Sequence, residues 1–183
     1  DHPLSGFAIL SRLLDRKGYK VGIIAQPLED KDYQACGTPK YFFCITSGLL
    51  DSMLANYTPM LKQRDNVLVP ERALMVYTQK LKQLHKGVMT IIGGVEATIR
   101  RFTHFDYKEN KLRRGILNDT KTDLLLFGNA ERSLLTLLER MQKLAFPVSF
   151  QNIRNQIDLP SLEGVSYLIK KDEVTKAMRS LPS

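Results

Sequence analysis

The sequence predicts an α/β domain: a three-layer α/β/α sandwich on a mainly parallel sheet. Three observations carry this. Short apolar runs alternate with amphipathic helical stretches. Each central run ends on a glycine-containing turn and leads into the next helical stretch. The 183 residues, 43% hydrophobic and 25% charged, suit one ordinary globular domain with a short tail.

Taken in order, a helix starts near Ser5, where Phe7, Leu10 and Leu14 recur at helical spacing with Ile9 and Leu13 beside them. Arg16 and Lys17 suit its last turn, and Gly18 suits a left-handed C-terminal turn. Tyr19 to Ala25 reads as a strand stopped by Gln26–Pro27. Tyr41 to Thr46 is a buried strand that includes Cys44, ended by Ser47–Gly48. Leu49 to Tyr57 is a short helix with Leu50 and Leu54 expected inward, and the Pro-broken stretch Thr58 to Glu71 is a loop. Ala73 to Lys86 is a helix with Leu74, Tyr77, Leu81 and Leu84 on one face. Val88 to Ile92 is a strand, stopped by Gly93–Gly94, and Val95 to Arg101 is a short helix.

Thr103 to Asn118 has aromatics and paired charges without clean periodicity. Asp123 to Phe127 is a strand, stopped by Gly128–Asn129, and Ala130 to Leu144 is a helix with Leu134, Leu138 and Met141 inward. Ser149 to Ile157 reads as a connector. Gly164 to Lys170 is a fifth strand, paired as a hairpin with Glu173 to Met178. The chain thus divides into a domain at 1–146 and a connector with hairpin at 147–183. Because a helix comes first, the expectation is that the first strand of the sheet lies ahead of Asp1.

Composition removes several function classes. Cys36 and Cys44 make neither a disulfide scaffold nor a zinc site, and three scattered histidines make no His-rich metal cluster. Apolar runs reach about five residues, far short of a membrane helix. No leader-like stretch opens the chain, and a reducing, cytoplasmic setting is expected. A net charge of +8 permits nucleic acid or another anionic partner.

Ligands of parallel sheets bind at the carboxyl ends of strands. That makes Ser47–Gly48, Gly93-Gly94-Val95-Glu96 and Gly128-Asn129-Ala130-Glu131 the candidate contacts, with Asn129 as a helix cap. Tight turns and helix capping alone explain each one; their repetition on neighbouring strands points to a shared crevice. His2 and Gly6 fall where a first strand's turn belongs, although terminal residues also fray. Arg100, Arg101, His104, Asp106, Tyr107, Arg113 and Arg114 are the densest polar constellation. Forked guanidiniums suit phosphate or carboxylate, and the aromatics suit base stacking. An internal ion-pair network, with Asp106 partnering an arginine, explains them equally well.

Asp1-His2-Pro3, Gly22-Ile23-Ile24-Ala25-Gln26-Pro27, Asp51-Ser52-Met53 with Asn56-Tyr57-Thr58, Val76-Tyr77-Thr78-Gln79, Gly93-Gly94-Val95-Glu96-Ala97, the stretch from Arg100 to Arg114, and Phe127-Gly128-Asn129 together resemble the YgiQ-type radical SAM family. The likeness runs colinearly from Asp1 to about Arg140. It implies a flavodoxin-like N-terminal domain, similar to cobalamin-binding domains, ahead of a radical SAM barrel that lies after Ser183. It also implies a four-iron, four-sulfur cluster and S-adenosylmethionine in the parent polypeptide. The three-cysteine signature CxxxCxxC is not made by Cys36 and Cys44, so no such cofactor is expected on this chain. Asp1 and Gly6 keep the outer spacing of the base-off cobalamin motif, but His2 stands one place early, so the fold is implied more strongly than the vitamin.

The expected role is an accessory domain that binds ligand or substrate for a radical SAM enzyme and is not catalytic alone. An RNA-binding module and a purely structural docking domain are the alternatives.

Overall fold

The computed structural model describes residues 5–144 and 150–174. In order, the elements are α1 (Gly6–Arg16), α2 (Asp30–Gln34), β1 (Phe42–Ile45), α3 (Ser52–Asn56), α4 (Ala73–Leu84), β2 (Met89–Ile92) and α5 (Gly94–Ile99). They continue with β3 (His104–Asp106), β4 (Lys111–Arg113), α6 (Ile116–Thr120), β5 (Leu124–Leu126), α7 (Glu131–Met141), α8 (Phe150–Gln156) and β6 (Val165–Ser166). The main sheet has the order β1-β2-β5-β6; β1, β2 and β5 are parallel, and β6 closes the far edge antiparallel to β5. The fold is therefore the predicted α/β class with a mainly parallel sheet.

Strand periodicity divides the core between the two faces. Met89, Ile91, Leu124 and Leu126 point to one face and pack with Leu134, Leu137, Leu138 and Met141 of α7 and Ile153 of α8. Ile45, Ile92 and Leu125 point to the other and pack with Leu74, Tyr77 and Leu81 of α4, Ala97 of α5 and Ile116 of α6. All residues of β2 and β5 are buried, as continuous apolar runs in a doubly covered sheet should be. Asp123 fixes the start of β5 against β2: its Oδ2 accepts from Thr90 N at 2.7 Å and Thr90 Oγ1 at 3.0 Å.

Several expectations need correction. Tyr19 to Ala25 forms no strand, because none of the described strands pairs with it. Leu50 and Leu54 are exposed, because Asp51 caps α3 and turns Ser52, Met53 and Asn56 inward instead. Cys44 is exposed, because β1 is an edge strand. The cap of α7 is Ala130 rather than Asn129, and its side chain makes no capping bond. Residues 150–156 are helical where a connector was expected. The fifth strand shrinks to Val165–Ser166 and turns against β5, and Lys171–Glu173 is a short 3-10 turn. The rest of the expected hairpin, from residue 175, lies outside the described residues, as does His2. Among the described residues no helix is long and apolar enough to cross a membrane.

Candidate functional site: the carboxyl edge of the sheet

The parallel strands β1, β2 and β5 all release their chains at one edge. The turns there touch. Gly94 has φ +86°, and a Cβ at that position would stand 2.6 Å from Thr46 Oγ1, so only glycine lets the β2 turn lie against the β1 turn. A Cβ on Gly93 would reach 3.4 Å from the carbonyl oxygen of Leu126, which places the β5 tip on its other side. Gly48 N donates to Thr46 Oγ1, and Ser47 Oγ donates to the carbonyl of Leu50. Gly128, at φ +70°, faces open space, and Asn129 beside it is exposed. The structure thus brings Ser47, Gly48, Gly93, Gly94, Gly128 and Asn129 to one edge. Glu131 follows as the half-buried first residue of α7, whereas Gly6 opens α1 and is exposed.

Glu96 points the other way. It is 1% exposed, and its carboxylate accepts from Ser52 N at 2.9 Å and Leu74 N at 3.4 Å. Ser52 Oγ in turn accepts from Ala73 N. One carboxylate and one hydroxyl therefore serve the starts of both α3 and α4. This is needed at α4, whose cap residue Arg72 is left-handed and makes no capping bond.

The arginine constellation gathers beside this junction. Asp51, 1% exposed, accepts from Met53 N and Leu54 N and receives a fork from Arg100, Nε at 2.8 Å and Nη2 at 2.9 Å. Asp106, 3% exposed, accepts from Arg72 at 2.8 Å and from the backbone N–H groups of Lys108 and Glu109, with Arg113 Nε at 3.1 Å. Burial alone would push its carboxyl up, but Arg72, the Glu109 N–H and Arg113 outweigh that and hold it at about 2. Arg113 also pairs with Glu109 and Asp119. These contacts pin the β3–β4 hairpin to α4 and α6.

The cavity among Arg72, Glu96, Arg100, His104, Arg113 and Asp119 has a volume of about 10 Å³, room for one water. Arg101 donates to the carbonyl of Thr98 and lies over the rings of Phe102 and Phe127. His104 Nε2 stands 3.5 Å from Arg100, Tyr107 is half-buried and Arg114 is exposed.

Sequence reading missed Arg72, Glu109 and Asp119, which complete the network. Glu109 sits four residues before Arg113, and that spacing was the available signal. It also missed Lys108, which donates at 2.6 Å to both Tyr57 Oη and Glu71 and ties the hairpin to the loop after α3.

No metal-holding group of three His, Cys, Asp or Glu occurs among the described residues. Cys36 and Cys44 cannot ligate a four-iron cluster by themselves. His85 is used inside the fold, near Thr38 Oγ1 and the Tyr33 carbonyl, and His104 lies on the hairpin, so neither follows a central strand as a lower cobalamin ligand would.

Fold and edge together define a mainly parallel α/β domain with a glycine-shaped carboxyl edge. The chain matches the radical SAM N-terminal family over residues 1–183, and it belongs to that family. It is 44% identical over 180 residues to a UPF0313 protein of Vibrio vulnificus, an alignment covering 92% of this chain and 23% of that protein. It is 43% identical over 152 residues to a UPF0313 protein of Methanocaldococcus jannaschii, covering 78% and 25%. A UPF0313 protein of Clostridium botulinum is 38% identical over 190 residues, covering 91% and 30%. The chain thus spans about a quarter of the length of such relatives and represents one domain of a larger radical SAM polypeptide. No solved structure matches it significantly.

Proposed function

We propose that this domain docks its carboxyl sheet edge on the catalytic region of the same polypeptide and forms one wall of that region's ligand crevice. The observation that supports this is an exposed apolar strip on the edge. Leu50 and Leu54 (58% and 52% exposed) and Val95 and Ile99 (47% and 55%) are two pairs spaced by four residues. One pair lies at the helix after β1 and the other on the helix after β2. The Asp51–Arg100 fork and the Gly94–Thr46 contact hold these two helices together. Such a strip marks an interaction surface, and relatives some four times longer supply the occupant.

The four-iron cluster and S-adenosylmethionine belong to the catalytic region in this reading. The turns at Ser47–Gly48, Gly93–Gly94 and Gly128–Asn129 carry small side chains that let a substrate approach the backbone closely. Arg72, Arg100 and Arg113 are already committed to internal carboxylates, which favours this reading over RNA binding.

In the intact protein, Leu50→Lys combined with Leu54→Lys is expected to speed protease cleavage in the segment after residue 174 at least about tenfold, because the domain lets go of its partner. Unchanged cleavage would contradict the docking.

A further inference from the structure

We infer that the outer face of the β3–β4 hairpin is a second contact with the catalytic region of the same polypeptide, and that it takes an apolar segment carrying a carboxylate. The inference rests on the docking reading above and extends it beyond the strip on α3 and α5.

The hairpin is built inside out. A hairpin laid on a protein surface ordinarily turns its apolar side chains inward and its polar ones to water. Here His104 pairs with Arg113, Phe105 with Leu112 and Asp106 with Lys111, and alternation along each strand sorts these pairs onto two faces. Asp106 and Arg113 face the body of the domain, where they meet Arg72 and Asp119. Phe105 and Leu112 stand opposite each other on the other face, 58% and 73% exposed.

A slip of one residue would reverse the faces, and the charges prevent it. Asp106 accepts from Arg72 and from two backbone N–H groups of the turn, those of Lys108 and Glu109. Asn110 completes the turn in the left-handed region at φ +50°. The network thus fixes an apolar pair toward water. Buried ion networks are often no more stabilising than apolar packing in their place, so stability alone does not account for this arrangement. An exposed apolar pair held in a set position is what a contact surface requires.

Charge and size identify the occupant. Continuing the alternation, Arg114 falls on the face of Leu112; it is exposed and has no ion pair among the described residues. Glu109, the other carboxylate of the hairpin, is drawn to Arg72, Lys111 and Arg113. The outer face is therefore apolar beside an uncommitted guanidinium, which suits a carboxylate set among apolar side chains. A second copy would bring the same cation to the contact. Two side chains and a guanidinium also fall far short of the about 800 Å² per partner that a free-standing association needs. A tethered partner needs much less, because the link supplies effective concentration. Relatives some four times longer than this chain carry such a partner in the same polypeptide. Phe105 lies six residues from Ile99 of the strip, a reach of at most about 20 Å, so one partner can span both.

A photo-cross-linking residue at position 112 of the intact protein tests this. Adducts with the polypeptide after residue 183 are expected. Arg114→Glu should lower their yield at least about fivefold by setting like charges together. Arg114→Lys should hold the yield within about threefold, since it keeps the charge. Adducts confined to residues 1–183, adducts joining two copies, or no adducts would overturn the inference. A yield unmoved by Arg114→Glu would overturn the carboxylate. The same experiment at position 54 separates the two proposals: adducts at 54 with none at 112 overturn this inference alone, and adducts at neither overturn the docking reading on which it rests.

Discussion

Replacing Arg100 with alanine is expected to destabilise the protein by about 3 kcal/mol and lower its thermal midpoint by roughly 10 °C. Asp51 is 1% exposed and receives two guanidinium bonds from Arg100. Removing the cation leaves a carboxylate away from water, and breaking a buried pair from one side typically costs about 3–5 kcal/mol. The lower end applies because Met53 N and Leu54 N still donate to Asp51. Arg100→Lys should recover only part of the loss, since an ammonium cannot reproduce the fork. Thermal and urea unfolding read the effect. A loss below about 1 kcal/mol would place the pair among weak surface ion pairs.

The second large effect belongs to Asp106. Asp106→Asn is expected to cost about 3 kcal/mol at neutral pH, because Arg72 and Arg113 lose a shared buried counter-charge. The pH dependence has a definite sign. The folded carboxyl is held at about 2, below the unfolded value of about 3.9. A lowered carboxyl gives stability that is fully present above about pH 4 and lost as pH falls toward 2. The gap between the parent protein and Asp106→Asn should therefore stay level from pH 7 to about 4 and close between about 4 and 2. Urea unfolding across that range checks it, and a gap independent of pH would mean that Asp106 acts through shape rather than charge.

Both predictions concern residues that the sequence offered as ligand contacts. The residue types were legible, but whether they face inward or outward was not. Glu96 after a glycine turn looks the same in sequence whether it faces a ligand or the starts of α3 and α4, and only the packing of three helices decides it. The arginines behave likewise. Their partners Asp51 and Asp119 stand 49 and 6 residues away, and the first separation leaves no local trace.

Strands were legible where an apolar run is buried on both faces, as in Met89–Ile92 and Leu124–Leu126. Reading failed where pairing rather than composition decides. Tyr19–Ala25 has strand composition without a neighbour, and β3 and β4 are only three residues each, too short for periodicity to show. In α3 the Asp51 cap sets the helix rotation and turns Leu50 and Leu54 outward, against the simple apolar-inward rule. That reversal is what exposes the strip on which the functional reading rests.

A photo-cross-linking residue placed at position 54 of the intact protein tests that reading most directly. The account predicts adducts with the polypeptide downstream of this domain, suppressed when Val95 and Ile99 are changed to lysine. Adducts confined to the domain itself, or none at all, would contradict it.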